Sequence, residues 1–383
     1  MFKRFLKWTG IVLATLIVLA AILVGTALLR PNRAEVNPAL KLETWDAVND
    51  GNHNAFTNMI KWNGALYLVY VSSPYHFGSS DSRLYLMRSK DGHQWEKIAR
   101  LVAAGKDIRD PKLAVIDGKL FLYALINVAF TVKPYQTVYA VSKDGKTWTP
   151  FADVEPSGWL FWSPQQAKDG TYYVAAYWHE HGKSALLKST HGRKWEIVSI
   201  IHDGDRNDET DIEFLPDGRL ISTARLEVSD SYFGNPKGST LISVSNPPFD
   251  KWTPTARSTV TRLDGPNLFR YNGRVYAVGR YQPDHGGPFT WQGSLFARKR
   301  TSLFLVEEDG LTRLSDLPSA GDTSYAGVGV EGYQVIISYY TSNIRKDYPW
   351  ILGMMLPTAV RIAKVDLPSL EALAKAKSGP KVE

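Results

Sequence analysis

The chain of 383 residues contains no cysteine, which excludes a disulfide scaffold, a Cys-ligated zinc site and a thiol nucleophile. Charged residues are also sparse, at 22% of the chain, whereas 44% of the residues are hydrophobic. This balance excludes intrinsic disorder, because the chain has enough apolar surface to bury a core. Acidic residues are absent before Glu35.

The net charge of +7 comes mostly from the N-terminus. Five basic residues and no acidic ones stand there, namely Lys3, Arg4, Lys7, Arg30 and Arg33. The other 40 basic and 38 acidic residues leave residues 34–383 with a net charge of only +2. A nucleic-acid-binding domain needs a basic surface of its own, so we expect no nucleic-acid partner.

The N-terminus also contains one long uncharged run, the 22 residues at 8–29. A helix of this length spans the roughly 30 Å hydrocarbon layer of a membrane. A cleaved signal peptide is the alternative, with a cleavage site at 25–27, although its apolar part is typically about 7–15 residues long. More Lys and Arg precede the run than follow it, which favours a cytoplasmic N-terminus. We therefore predict a cytoplasmic stub and signal anchor over 1–33, with an extracytoplasmic body in the periplasm or outside the cell.

Six turn motifs divide the rest of the chain into units of similar length. Their glycines are separated by 54, 52, 48, 55 and 59 residues, and they are Gly64, Gly118, Gly170, Gly218, Gly273 and Gly332. Most are preceded by Asn or Asp, and Asn-Gly and Asp-Gly favour two-residue hairpins because both central residues must adopt positive φ. An aromatic and β-branched run typical of a strand follows each glycine.

Six such units predict an all-β fold, a six-bladed β-propeller. The propeller extends over 34–368, where residues 36–53 and 355–368 complete the ring and leave no room for a second domain. Residues 369–383 are predicted to be a basic C-terminal tail, with Lys375, Lys377 and Lys381 in a frayed, solvated end. We expect the protein to be a monomer.

A second repeat begins at Ser89, Ser142 and Ser189. It reads Ser-Lys-Asp-Gly-x-x-Trp in the first two copies and Ser-Thr-His-Gly-x-x-Trp in the third. These turns resemble the Asp boxes, or BNR repeats, of the sialidase (neuraminidase) superfamily, where they lie on the outer strands away from the active site. The resemblance implies the fold and leaves the chemistry open, since Asp boxes also occur in non-catalytic propellers.

An alignment of the units on their turn glycines locates the mouth of the central channel, where the innermost strands begin. Nine residues before the glycine stand Ala55, Arg109, Phe161, Glu209, Asp264 and Thr323. Seven residues after it stand Val71, Leu125, Tyr177, Arg225, Arg280 and Tyr339. We predict that the ionisable members of these sets converge at one end of the channel. The alternative is a structural network of arginines and carboxylates that braces neighbouring blades.

The segment from Glu209 to Arg225 resembles a sialidase stretch that runs from a Glu, through Leu-Pro-Asp-Gly-x-Leu, to an Ala-Arg with the same spacing of sixteen residues. The resemblance covers residues from about 50 to 366. It implies that Glu209 is the base for a tyrosine nucleophile, and that Arg225 and Arg280 are two of three arginines that hold the substrate carboxylate. Tyr325, in the segment that opens the last blade, is the candidate nucleophile.

This chemistry suits an α-keto acid sugar, whose carboxylate is attached to the anomeric carbon. Guanidinium groups hold such a carboxylate bidentately. An anionic carboxylate nucleophile would be repelled by it, so a tyrosine activated by a Glu is the better nucleophile. An Asp then serves as general acid and base for the leaving group.

The sequence departs from the family at the third arginine. Sialidases usually begin blade 1 with Arg-Ile-Pro, whereas this chain has His-Asn-Ala-Phe-Thr at 53–57 and Arg-Asp-Pro-Lys at the start of blade 2. These runs resemble a bacterial branch of sialidase-like propellers. Arg109 is therefore the candidate third arginine, with Asp264, Asn54 and His76 as further candidate substrate-binding residues. Asp81, in the loop at 78–82, and Asp110 compete for the acid/base role.

We predict a membrane-anchored, sialidase-like exo-glycosidase that acts on an acidic sugar without a metal or other cofactor. Two alternatives stay open, a non-catalytic propeller that binds glycans or an envelope partner, and a polysaccharide lyase that uses Tyr75 and His76. His179 and His181 form a further candidate pair, for a metal or simply for a polar loop end. The separation of the Tyr325 hydroxyl and a Glu209 oxygen decides whether these groups can act together.

Overall fold

A computed structural model describes residues 2–128, 130–131 and 133–378 of the chain. It consists of an N-terminal helix, six antiparallel sheets arranged as a six-bladed β-propeller, and two further helices. Residues 379–383 of the expected tail, including Lys381, lie outside the described residues. The helices are α1 (Phe2–Leu29), α2 (Trp350–Met355) and α3 (Leu367–Lys377).

The strands follow the chain blade by blade, and each blade is one sheet. Strand β1 (Leu42–Val48) precedes blade 1, which contains β2 (His53–Trp62), β3 (Ala65–Ser73), β4 (Arg83–Ser89) and β5 (Glu96–Leu101). Blade 2 contains β6 (Asp107–Ile116), β7 (Lys119–Asn127), β8 (Gln136–Ser142) and β9 (Ala152–Asp153). Blade 3 contains β10 (Trp159–Phe161), β11 (Gln165–Gln166), β12 (Tyr172–Trp178), β13 (Lys183–Ser189) and β14 (Glu196–Asp203).

Blade 4 contains β15 (Asn207–Phe214), β16 (Leu220–Leu226), β17 (Ser239–Ser245) and β18 (Thr253–Ser258). Blade 5 contains β19 (Asp264–Tyr271), β20 (Arg274–Tyr281), β21 (Arg300–Glu307) and β22 (Gly310–Asp316). Blade 6 contains β23 (Thr323–Glu331), β24 (Gln334–Thr341) and β25 (Ala359–Asp366). The six strands β2, β6, β10, β15, β19 and β23 line the central channel, and we call the face of the propeller at which they begin the upper face.

The propeller is closed by its N-terminal strand, as the sequence predicts. Strand β1 is the outermost strand of blade 6 and pairs with β25 from Leu42 opposite Val365 to Val48 opposite Val360. The last blade therefore combines both ends of the propeller sequence. This closure joins the two ends of the propeller sequence within one sheet, so the ring is held shut by backbone hydrogen bonds.

The turn glycines lie at the lower face of the propeller, between the first and second strands of their blades. At Asn63–Gly64 both residues have positive φ, 47° and 73°, as a two-residue hairpin requires. At Gly170 and Gly218 only the glycine is in the left-handed region, with φ of 90° at both. These two turns are longer than a two-residue hairpin. In a longer hairpin loop a type I turn is followed by a single left-handed residue, and here that residue is the glycine.

The three Ser…Gly…Trp turns also lie at the lower face and share one geometry. In the first of them the Gly92 amide donates to the Ser89 hydroxyl at 2.8 Å, and the Trp95 indole donates to the Gly92 carbonyl at 2.7 Å. The same two bonds recur in the turns that begin at Ser142 and Ser189. These turns are structural, because their polar groups satisfy the backbone of the turn itself.

Both ends of the described chain are helical. Within α1, the segment Leu6–Leu29 has a mean hydropathy of 2.8, so it is long and apolar enough to cross a membrane, as a signal sequence also is. Helix α3 differs from the expected frayed tail, because Leu370, Leu373 and Ala374 on one face are buried against the propeller.

We predict that Gly145→Ala destabilises the protein more than Gly118→Ala. Both glycines have left-handed φ, 76° and 69°, so each substitution costs about 1–2 kcal/mol of backbone strain. A Cβ at Gly145 would also lie 2.6 Å from the ring of Tyr67, whereas nothing lies within 4 Å of one at Gly118. The additional loss should be about 1–3 kcal/mol in the free energy of unfolding, measured by urea titration in detergent. Equal losses in the two variants would contradict this account.

Candidate active site

Irregular pairing characterises the upper ends of the innermost strands. In blades 1, 2 and 6 the register against the second strand shifts within four residues of the start of the strand. At these shifts Phe56, Asp110 and Tyr325 adopt left-handed φ of 53°, 48° and 48°. Such a conformation is strained for an aromatic residue, and a bulge re-aims the side chain that it contains. The side chains of Phe56 and Tyr325 are therefore held by the surrounding packing rather than by a relaxed backbone.

Tyr325 and Glu209 meet at the centre of the upper face. The Tyr325 hydroxyl donates a hydrogen bond to Glu209 Oε1, and both residues are buried. The other oxygen of Glu209 accepts from the Gly265 amide at 2.6 Å and lies 2.9 Å from Arg225 Nη1. The contact that the sequence analysis identified as decisive is thus present in the structure.

Burial controls the protonation of this pair. It raises the pKa of Glu209 to about 7, although the charge of Arg225 acts in the opposite direction. Burial and the charge of Glu209 hold the pKa of the Tyr325 hydroxyl well above its usual value. Tyr325 is therefore a neutral phenol at neutral pH, and its proton points at a carboxyl group that can accept it.

Arg225 and Arg280 meet at the carboxylate of Asp264. Arg225 Nη1 lies 3.5 Å from Asp264 Oδ1, and Arg280 Nη1 lies 3.3 Å from Asp264 Oδ2. Arg262 joins them, with its Nε 2.6 Å from Asp264 Oδ1. Burial opposes ionisation of Asp264, but the three arginines outweigh it and hold the pKa of that carboxyl well below its usual range. Asp264 thus fixes the arginines in place.

Each of these two arginines has a further acidic partner. Arg225 Nε donates to Asp208 Oδ1 at 2.6 Å, and Arg280 Nη2 lies 3.5 Å from Asp322 Oδ1. The guanidinium carbon of Arg280 also lies 5.3 Å from the centre of the Tyr325 ring. The two arginines therefore flank the Tyr325–Glu209 pair, but internal carboxylates neutralise their charges.

Arg109 and Tyr325 both pack against the ring of Phe56. Its Nε donates to Asp107 at 2.6 Å, and its guanidinium carbon lies 5.4 Å from the centre of the Phe56 ring. The Phe56 ring in turn packs edge-on against the Tyr325 ring at 5.0 Å. Asp107 is the acidic partner of Arg109, so this arginine has fewer internal contacts with carboxylates than Arg225.

The two acid/base candidates lie in very different environments. Asp110 is buried, and its Oδ1 has no hydrogen-bond partner among the described residues. Burial raises the pKa of Asp110, although Lys112 and Arg109 lower it. The Asp81 side chain is 73% exposed and pairs with Arg83 at 3.3 Å. Only Asp110 combines burial with a position on an innermost strand.

His76 and Asn54 are both buried but make different contacts. His76 Nδ1 lies 2.7 Å from Asp322 Oδ2, so this histidine joins the network around Arg280. The Asn54 amide donates to Asp50 at 2.8 Å and to the Thr358 carbonyl at 3.3 Å. Asn54 therefore connects blade 1 to the segment before β25, and no contact joins it to Tyr325 among the described residues.

Several charged residues of the site, including Asp107, are missing from the sequence-based candidates. Asp208 and Asp322 both stand ten residues before the turn glycine of their unit. The alignment of the six units used the position nine residues before the glycine, and including the neighbouring position would have found both residues. Arg262 lies two residues before Asp264. Lys112 is buried on β6, with its ammonium 4.2 Å from the centre of the Trp162 ring and 6.0 Å from that of Tyr325.

Two groups of side chains have metal-ligating atoms within 4.8 Å of one another, namely His53, His76 and Asp322, and His181, Asp208 and Glu227. His179 and His181 lie in the turn after β12, and His179 is not part of the group that contains His181. Burial lowers the pKa of His181, but Asp208 and Glu227 outweigh it and raise it to about 9.

Arginines already contact Asp208 and Asp322, the carboxylates of these two groups. Both groups are therefore better described as hydrogen-bonded charge networks than as metal centres.

Comparison with known proteins identifies the fold. No protein-family model matches the chain, and no curated protein sequence matches it either. A solved protein of unknown function from Dyadobacter fermentans is 16% identical, with a TM-score of 0.62 over 86% of this chain and 99% of its own.

Two sialidases of known structure are also similar to this chain in fold, at low sequence identity. The phage phi92 endosialidase is 10% identical with a TM-score of 0.62, over 86% of this chain and 69% of its own. The Trypanosoma rangeli sialidase in complex with sialic acid is 12% identical with a TM-score of 0.60, over 90% of this chain and 61% of its own. At such low identity these similarities establish a sialidase-type six-bladed propeller fold and nothing about activity.

We predict that Asp264→Asn lowers the free energy of unfolding by about 3–5 kcal/mol, because it leaves buried arginines without their shared counter-charge. Asp217→Asn is the matched control, since Asp217 also pairs with an arginine but its side chain is 52% exposed. The control should change stability by less than about 1 kcal/mol. Urea titration of both variants tests this, and a small effect of Asp264→Asn would show that the arginines do not depend on it.

Proposed function

We propose that the protein is a sialidase-like, retaining exo-glycosidase that hydrolyses glycosides of acidic, α-keto acid sugars at the upper face of the propeller. The observation that carries this proposal is the buried hydrogen bond from the Tyr325 hydroxyl to Glu209. A nucleophile whose proton is already directed at a base is the arrangement that covalent catalysis requires. The flanking guanidinium groups of Arg225 and Arg280 support an acidic substrate.

In the first step of the proposed reaction, the Tyr325 oxygen attacks the anomeric carbon while Glu209 accepts its proton. The bond from the anomeric carbon to the leaving-group oxygen breaks, and Asp110 donates a proton to that oxygen. In the second step, Asp110 removes a proton from water, and the water oxygen attacks the anomeric carbon. The bond to Tyr325 then breaks, and the phenolate regains its proton from Glu209.

The protonation states of the resting site support these roles. A base with a pKa of about 7, as in Glu209, accepts a proton readily at neutral pH and also releases it. The pKa of Asp110 is raised by burial, which favours the protonated form that a general acid needs. Lys112 supplies a positive charge near the Tyr325 ring, which favours the phenolate as it develops.

In this proposal the substrate carboxylate is bound by Arg109, Arg225 and Arg280. Asp264 already pairs with two of these arginines, Arg225 and Arg280. The substrate carboxylate therefore has to share their guanidinium groups with the Asp264 carboxylate. His76 and Asp264 then act by holding the arginine network. Helix α1 anchors the propeller on the extracytoplasmic side of the membrane.

A non-catalytic propeller that binds glycans or an envelope partner is the second candidate. It is favoured by one observation, that Arg225 and Arg280 already have internal carboxylate partners. On this interpretation the buried charges brace neighbouring blades and perform no chemistry.

We predict that the full chain in detergent releases the fluorophore from a fluorogenic sialoside, and that Tyr325→Phe lowers kcat/KM by about 10³-fold or more. The substitution removes one oxygen atom, the proposed nucleophile. Tyr276→Phe is the matched control, because Tyr276 is buried in blade 5 and its hydroxyl has no hydrogen-bond partner among the described residues. If the unaltered chain turns over no α-keto acid glycoside, the enzymatic proposal fails and the binding propeller remains.

We predict that Asp110→Asn lowers kcat about 10²–10⁴-fold on a glycoside with an alkyl leaving group, because that group needs a proton to depart. An activated aryl leaving group departs without one, so its loss should be much smaller. Asp81→Asn should have little effect on either substrate, since Asp81 is exposed. The reverse pattern would assign the acid/base role to Asp81.

A further inference from the structure

The exposed aromatic residues of the propeller are unevenly distributed. Every exposed phenylalanine among its described residues lies in a loop of the upper face, namely Phe130, Phe233, Phe289 and Phe296. Tyr232 lies beside Phe233 and is 74% exposed, and Phe289 is 63% exposed. Exposure of several large apolar side chains on one face indicates a surface that another phase or molecule covers.

Four of these residues form one surface, which we call the aromatic patch and which consists of Tyr232, Phe233, Phe289 and Phe296. The Phe233 ring centre lies 5.5 Å from that of Phe289 and 5.5 Å from that of Phe296. The loops at 227–238 and 282–299 that carry them are joined by hydrogen bonds, including one of 2.9 Å from the Leu295 amide to the Tyr232 carbonyl. The aromatic patch is therefore held together by hydrogen bonds between a loop of blade 4 and a loop of blade 5.

Helix α1 meets the propeller at the same face. It ends at Leu29, and the next residue, Arg30, accepts a hydrogen bond of 2.9 Å at its carbonyl from the Asp347 amide. The Asn32 amide group donates to the carbonyls of Ile344 and Ser319 at 2.9 and 3.0 Å. Asp347 and Ile344 lie in the upper-face loop at 342–358, which follows β24. No flexible linker therefore separates α1 from the upper face.

The segment that receives α1 is bonded directly to the loop that carries the patch. Arg298, two residues after Phe296, lies with its Nη1 3.1 Å from Asp347 Oδ2. The amides of Trp350 and Ile351 donate to the carbonyls of Ala297 and Leu295 at 2.9 and 2.8 Å. The position of the patch is thus fixed relative to the end of the helix.

We propose that the upper face of the propeller rests on the membrane that α1 enters, with the aromatic patch inserted at the boundary between headgroups and hydrocarbon. Tyr232 suits this boundary because its ring is apolar and its hydroxyl is polar, and the phenylalanine rings bury apolar surface on the hydrocarbon side of it. Arg30 and Arg345 are exposed beside the end of the helix and suit the phosphates of anionic lipids. The proposal goes beyond the proposed function and holds whether or not the protein is catalytic.

The absence of cysteine makes a direct test possible. Phe289→Cys and Tyr232→Cys place single nitroxide labels in the patch of the full chain, reconstituted in vesicles of phosphatidylcholine and phosphatidylglycerol. Tyr333→Cys is the matched control, since Tyr333 is 73% exposed in the lower-face hairpin between β23 and β24. Electron paramagnetic resonance then measures collisions of each label with oxygen, which enters lipid, and with a water-soluble nickel chelate.

We expect the ratio of oxygen to nickel collisions to be severalfold higher at both patch positions than at Tyr333→Cys. Equal ratios at all three positions would overturn the proposal, because the patch would then lie in water. Spectral broadening between labels at Phe289→Cys that persists on dilution in lipid would also overturn it, since it would show that a second copy covers the patch. Circular dichroism of each variant checks that these exposed substitutions leave the fold intact.

Discussion

The carboxylate of Asp264 is the contact on which the arrangement of the upper face depends. It lies among Arg225, Arg262 and Arg280, three positive charges that would repel one another without it. Since Arg225 also contacts Glu209, the position of the proposed base follows from that of Asp264. Tyr325 in turn donates to Glu209. A single buried anion thus connects the arginines to the pair on which the proposed chemistry is based.

The backbone at this face supports the same arrangement at a cost in strain. Left-handed conformations are unfavourable for the aromatic residues Phe56 and Tyr325, whereas an aspartate such as Asp110 tolerates one more readily. They persist because neighbouring blades pack against the side chains, as the contact of the Phe56 and Tyr325 rings illustrates. Strain retained by tight packing is a feature of many functional sites, and it holds side chains in one geometry. The site is accordingly rigid before any ligand arrives.

Much of the fold could be predicted from the sequence, because the turn glycines recur at a nearly constant interval and set the register of every blade. The same register brought Glu209, Arg225 and Arg280 into one prediction, the resemblance to sialidases added Tyr325, and the structure brings these four residues together. Their roles in a reaction remain predictions. Closure by β1 also followed from the sequence, because the segments at 36–53 and 355–368 were left over.

The parts that could not be predicted depend on contacts between distant segments. The bulges shift the pairing of the innermost strands, so the positions beside the compared ones, Asp208 and Asp322, also contribute to the site. Asn54 is on the expected strand, but the path of the segment before β25 decides that it contacts Thr358. Asp81 lies in a loop, whose course no local pattern determines. The packing of α3 likewise depends on an apolar surface that blades 5 and 6 form together.

The pairing of β1 with β25 constrains the order in which this protein can be made. Strand β1 is synthesised before every other strand, and its partner β25, which ends at Asp366, is synthesised after all of them. Strand β1, which follows α1 in the chain, therefore stays unpaired until nearly the whole propeller has been synthesised. Folding of the ring is completed only after β25 has been synthesised, so a chain that ends before β25 would leave β1 without a partner and the ring open.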